Sequence, residues 1–76
     1  MMFDMQDAGA AVIVRLAGRL DTAGVGEVEL AFTARVVPEQ RPVLIDLAAL
    51  EFIASLGVRM LITTARSRAR QNRMLA

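Results

Sequence analysis

The stretch VLIDLAALEFIASLGVRMLITTAR, residues 43–66, decides how this chain folds. From Pro42 to Leu47 it is apolar without alternation, the composition of an inner strand covered on both faces in a parallel sheet. AALEFIA, residues 48–54, reads as the exit loop. From Ser55 to about Gln71 apolar residues recur at helical spacing, with Val58, Leu61, Ile62, Ala65 and Ala69 as the expected buried stripe and Arg59, Arg66 and Arg70 on other sides. Ser55 stands at the boundary and has two readings. Serine is among the best helix caps, because its hydroxyl accepts a hydrogen bond from a free amide of the first turn. The same hydroxyl is surrounded by Phe52, Ile53, Leu56 and Met60, and Leu56, Met60 and Thr63 fall away from the expected stripe. Apolar residues around an exposed hydroxyl make a docking surface. A phosphate there would bring nearly two negative charges, which a helix N-terminus tolerates but a dry contact does not. On the residues alone, cap and switch stand level.

Upstream, Met1 to Met5 reads as a short edge strand and Asp7-Ala8-Gly9 as a turn. Ala11 to Ala17, rich in β-branched residues, reads as a second strand closed by Gly18-Arg19-Leu20-Asp21. Asp21 or Thr22 caps a helix running to about Val36, with Val25, Val28, Phe32 and Val36 as its apolar face; Gly24 and Gly26 are expected to fray its first turn, and Pro38 ends it. Downstream, Met74-Leu75-Ala76 reads as the start of one more strand. The order is β-β-α-β-α-β, an α/β fold in a single domain over residues 1–76.

Composition removes several functions. With 76 residues there is room for one core, and 55% hydrophobic residues are enough to build it. The chain has no Cys and no His, so thiol nucleophiles, imidazole metal sites, disulfides and a Ser-His-Asp triad are excluded. The N-terminal MMFDMQDAGA is too acidic and too short in apolar length for a signal peptide or anchor, and no apolar run approaches the roughly 20 residues of a membrane span. The expectation is a soluble cytoplasmic protein without membrane insertion. AGVGEVE contains a G-x-G but lacks the third glycine, and no Lys completes a phosphate loop. Asp21, Asp46 and Glu51 offer an enzymatic reading at the strand ends, yet nothing in the sequence demands it. Arg59, Arg66, Arg68, Arg70 and Arg73 crowd the C-terminal third, but the net charge is +1 and no Trp or Tyr is present to stack bases. A solvated face or an acidic protein partner suits them better than nucleic acid.

The run from Asp46-Leu47 through Phe52-Ile53-Ala54-Ser55-Leu56-Gly57 into Val58 to Ala65 resembles the core of the STAS family, the anti-sigma factor antagonists of partner-switching systems. VIVRLAGRLDTAGVGEVE, residues 12–29, is similar to the family's second strand followed by Gly-x-Leu-Asp and its first helix. The resemblance covers about Ala11 to Ala76. It implies a small mixed sheet with helices packed on it, with the last strand and helix incomplete here. It implies further that Ser55 is phosphorylated by an anti-sigma factor with serine kinase activity and restored by a PP2C-type phosphatase. Asp21 matches a loop acid near that serine, and Gly57 a small residue that lets the partner approach. Ala54, Leu56 and Met60 complete the expected partner surface. Ala54 stands where the family pattern has an acidic residue. No cofactor and no metal are expected, and self-association into a homodimer is. The alternative is a small STAS subunit or fragment of a lipid or anion transporter, docked on a partner subunit without phosphorylation.

Overall fold

Alternation along residues 12–20 builds the centre of the sheet. Val12, Val14, Leu16 and Leu20 are buried while Arg15 and Arg19 are exposed, so one face of this strand meets the core. The computed structural model describes residues 1–71 and orders them as β1 (Met2–Asp7), β2 (Val12–Leu20), α1 (Thr22–Val36), β3 (Val43–Ile53) and α2 (Ser55–Arg70). The expected α/β order holds through the second helix; the strand expected at Met74 to Ala76 lies outside the described residues. The sheet is mixed, in the order β1-β2-β3, with β1 antiparallel and β3 parallel to β2.

Two expectations for β3 are corrected. Among the described residues β2, not β3, is the inner strand, and the far edge of β3 has no strand beside it. Only Val43 of β3 is fully buried, and Leu44, Leu47 and Phe52 are 43–48% exposed. Nor does β3 end at Leu47, since the expected loop continues as strand to Ile53. The cause lies in β2, which runs on through the presumed turn at Gly18 to Leu20. Gly18 takes φ +96, open to glycine, and the ladder shifts register between Arg15 and Ala17 and again between Gly18 and Arg19. These irregularities carry the pairing to Leu20↔Ile53.

Asp21, not Thr22, caps α1: its backbone is extended and its carboxylate accepts from the Gly24 N–H at 2.9 Å. Val25, Val28, Phe32 and Val36 are buried as their spacing predicts, and Phe32 meets Phe3 edge to face at 5.9 Å. Gly24 is buried in the capped first turn, pressed against the Arg19 carbonyl so closely that a Cβ would collide with it. It serves close packing there.

The expected stripe of α2 is also corrected. Gly57, Met60, Thr64 and Arg68 form its buried line, while Val58 and Ile62 are 41% and 46% exposed. The line is polar at its end because Arg68 is satisfied from elsewhere. Its guanidinium donates to the carbonyls of Val36, Glu39 and Arg41, each at 2.7 Å. Val36 ends α1, so one buried side chain fastens α2 to the end of α1 and to the loop before β3.

Candidate functional site

β2 and β3 end together, and both helices begin there. The Ala54 N–H donates to the Leu20 carbonyl at 2.9 Å. Asp21 and Ser55 each follow one member of that bonded pair, so the two helix starts stand side by side. The extended residue before α2 is Ala54, at φ −91 and ψ 168, and no side chain caps this helix. Ser55 is its first helical residue and is exposed. The cap reading of Ser55 therefore fails. Its hydroxyl is not used by the helix.

Asp21 is held on two sides. Besides the Gly24 N–H, the Arg19 Nε lies 3.4 Å from its carboxylate. The Gly24 hydrogen bond is the largest cause that keeps its carboxyl below the usual carboxylate range; burial opposes it, and Arg19 adds further lowering. Arg19 also stacks its guanidinium 4.5 Å from the centroid of Phe52, its cross-strand partner in the ladder. Around Ser55 the exposed apolar rim is Phe52, Ile53, Leu56 and Val58, each 37–43% exposed.

The residues expected to face a partner divide into two groups. Ala54 and Leu56 flank Ser55 in the chain and Asp21 stands at the neighbouring helix start, all three partly open to solvent. Gly57 and Met60 point inward, which corrects the expectation for both. A Cβ on Gly57 would lie 2.7 Å from Leu20 Cγ, so this glycine lets α2 close onto the end of β2. Met60 is 3% exposed and belongs to the core. Arg19 joins the site from β2, and the sequence signals it only by its place two residues before Asp21, on the strand face that carries Arg15. Asp46 is not part of the site. The register sets it opposite Arg15, away from the strand ends, where it takes that residue's Nε at 3.3 Å and the Ala48 N–H at 2.9 Å. Among the described residues no cluster of acidic side chains is arranged to hold a metal ion. Nor is any described helix long and apolar enough to cross a membrane.

A family model described as the Mlab STAS domain matches residues 3–76. No curated protein shows significant similarity. Among solved structures, an anti-sigma factor antagonist from Mycobacterium paratuberculosis superposes with a TM-score of 0.76 at 27% identity, over 86% of this chain and 56% of its own. SpoIIAA, an anti-sigma factor antagonist, superposes in its unphosphorylated form with a TM-score of 0.75 at 18% identity, over 97% of this chain and 66% of its own. A protein described as Mglu gives a TM-score of 0.76 at 22% identity, over 95% of this chain and 18% of its own. The chain thus spans between 18% and 66% of the length of these structures.

Proposed function

The chain belongs to the STAS domain family, and from that premise we propose that it is an anti-sigma factor antagonist, a binding module without catalysis of its own, switched by phosphorylation of Ser55. The observation that carries this reading is a serine hydroxyl at the first turn of α2 that caps nothing, is exposed, and is ringed by Phe52, Ile53, Leu56 and Val58. Unphosphorylated, the rim docks on a kinase-type anti-sigma factor and sequesters it. Phosphorylation sets a dianion beside the Asp21 carboxylate and inside the contact. Stripping it of water without a counter-charge costs several kcal/mol, on the order of an unpaired buried charge. The partner kinase supplies ATP and the transfer machinery, and a PP2C-type phosphatase restores the hydroxyl. The fold is shared with SpoIIAA, whose structure is known in unphosphorylated and phosphorylated forms.

The test is calorimetric titration of four forms of the chain against the kinase-type partner: wild type, Ser55→Ala, Ser55→Asp and enzymatically phosphorylated protein, with the phosphate located by mass spectrometry. Wild type and Ser55→Ala are expected to bind alike, Ser55→Asp more weakly, and the phosphoprotein weakest. Equal affinities in all four would overturn the switch. A second reading is a STAS subunit docked on a transporter ATPase. It is favoured by Ala54, which lacks the acid the family pattern sets before the serine, and by the Mlab description of the matching family model. Under that reading the transporter subunit binds all four forms equally.

A further inference from the structure

Between α1 and α2 runs a cleft of about 280 Å³ that shares Leu56 with the rim around Ser55 and otherwise lies along the two helices. That volume is near the small end of ligand sites, which run from about 300 to 1,000 Å³. Its walls carry opposite charges. Glu29 stands on α1 and Arg59 on α2, and neither is in an ion pair among the described residues, which form five such pairs elsewhere. Hydroxyls line the space between them, Thr33 from α1 and Thr63, Thr64 and Ser67 from α2. Thr64 is the telling one, at 2% exposure. No fully enclosed side-chain oxygen lacks a partner among the described residues, and no other described group bonds the Thr64 hydroxyl. That oxygen therefore opens onto the cleft. A hydroxyl so nearly buried without a protein partner is a position where a ligand atom supplies the missing hydrogen bond. Met60 and Val37 give the cleft an apolar floor.

We propose that this cleft binds a small zwitterion with an aliphatic body, the class of the free α-amino acids. The Arg59 guanidinium takes the carboxylate as a pair of charge-assisted hydrogen bonds. Glu29 takes the ammonium, the threonine and serine hydroxyls take the remaining donors and acceptors, and the side chain lies on Met60 and Val37. A ligand neutral overall suits walls whose two charges cancel, because neither charge is left uncompensated when water is displaced. The inference does not depend on phosphorylation of Ser55, and its test leaves that question aside.

The experiment is a two-dimensional NMR titration of the ¹⁵N-labelled chain with L-leucine, L-glutamine and glycine up to millimolar concentrations. N-acetyl-L-leucine, which lacks the ammonium, and L-leucinamide, which lacks the carboxylate, serve as comparators. At least one amino acid is expected to give saturable shifts at the amides of Thr33, Thr63, Thr64 and Ser67. Each comparator is expected to bind about tenfold more weakly or worse, the scale of one charge-assisted hydrogen bond. Glu29→Gln and Arg59→Gln, both at exposed positions, should each weaken binding to the same degree with an otherwise unchanged spectrum. Thr64→Val, close in shape to the native residue, should weaken it several-fold. The absence of saturable shifts with all three amino acids overturns the proposal. So does equal binding of leucine and both comparators, or indifference of the affinity to Glu29→Gln and Arg59→Gln.

Discussion

Arg68 brings a guanidinium into the interior at 0% exposure, where three carbonyls from α1, the following loop and the entry to β3 receive it. Removing it opens a void and takes the Arg68 donor from all three carbonyls, of which Val36 keeps the Glu39 N–H at 3.2 Å. Each unsatisfied buried group costs about 1–3 kcal/mol, so Arg68→Ala should lose about 3 kcal/mol or more, a large share of the stability of so small a domain. Arg68→Lys keeps the charge but lacks the planar fork, and should recover only part of the loss. Urea unfolding of both variants checks this, and a wild-type midpoint in Arg68→Ala would show that the carbonyls find other donors. Ser55 gives the opposite expectation. A serine that capped α2 would be worth about 1 kcal/mol. Because its hydroxyl caps nothing, Ser55→Ala should change stability by less than about 0.5 kcal/mol, the ordinary range for a surface substitution. The same denaturation series reads that difference directly.

Glycine substitutions separate what the helices need locally from what packing requires. Gly26 lies within α1, and a Cβ added there would find no atom within 4 Å, so Gly26→Ala should stabilise by about 0.5–1 kcal/mol through helix propensity alone. At Gly57 the added carbon would meet Leu20 Cγ at 2.7 Å and the Leu20 carbonyl oxygen at 2.9 Å. A carbonyl in a strand cannot move aside, and Gly57→Ala should destabilise by about 1–3 kcal/mol despite better propensity. Thermal melts of the two variants should shift in opposite directions. The same contrast explains which elements could be read from the sequence. α1 was legible because its cap and its apolar face at Val25, Val28, Phe32 and Val36 are local patterns. The span of α2 was legible for the same reason, but its rotation was not. Its most apolar side carries Val58 and Ile62, whereas burial follows Gly57, Met60, Thr64 and Arg68, and only contacts 27 to 32 residues away in sequence make an arginine acceptable there. The overrun of β3 to Ile53 depends likewise on its partner β2. At the site, Ser55, Asp21 and Leu56 were visible in the sequence, while Arg19 became visible only through its register with Phe52.

Across the molecule, stability should depend on acid in one direction. The carboxyls of Asp7, Asp21 and Asp46 are held below their ordinary range mainly by the backbone N–H groups of Gly9, Gly24 and Ala48, and that of Glu39 mainly by Arg41. A carboxyl lowered in the folded state binds its proton less readily there than in the unfolded chain. Its contribution is complete above the unfolded carboxylate range, about pH 4, and is lost as pH falls through the lower folded values. The melting temperature should therefore be flat near neutrality and fall below about pH 4; a melting temperature that rises in acid would contradict the assignment. The outer surface sets a second property. Val58 and Ile62 on α2 and Leu44 and Leu47 on β3 are each 41–48% exposed, and β3 has no strand along its far edge among the described residues. An open strand edge flanked by apolar side chains is a template for pairing with another chain. The net charge of +1 gives little repulsion against it. The 76-residue chain should accordingly self-associate as its concentration rises, two copies meeting edge to edge along β3 about a two-fold axis. Leu44→Lys sets a charge on β3 itself at a position 48% exposed, so it should suppress association and leave the melting temperature of the dilute protein nearly unchanged. Sedimentation equilibrium over a wide concentration range decides the matter. A wild-type chain that stays monomeric throughout would refute the pairing, and association unaffected by Leu44→Lys would move the contact to another face.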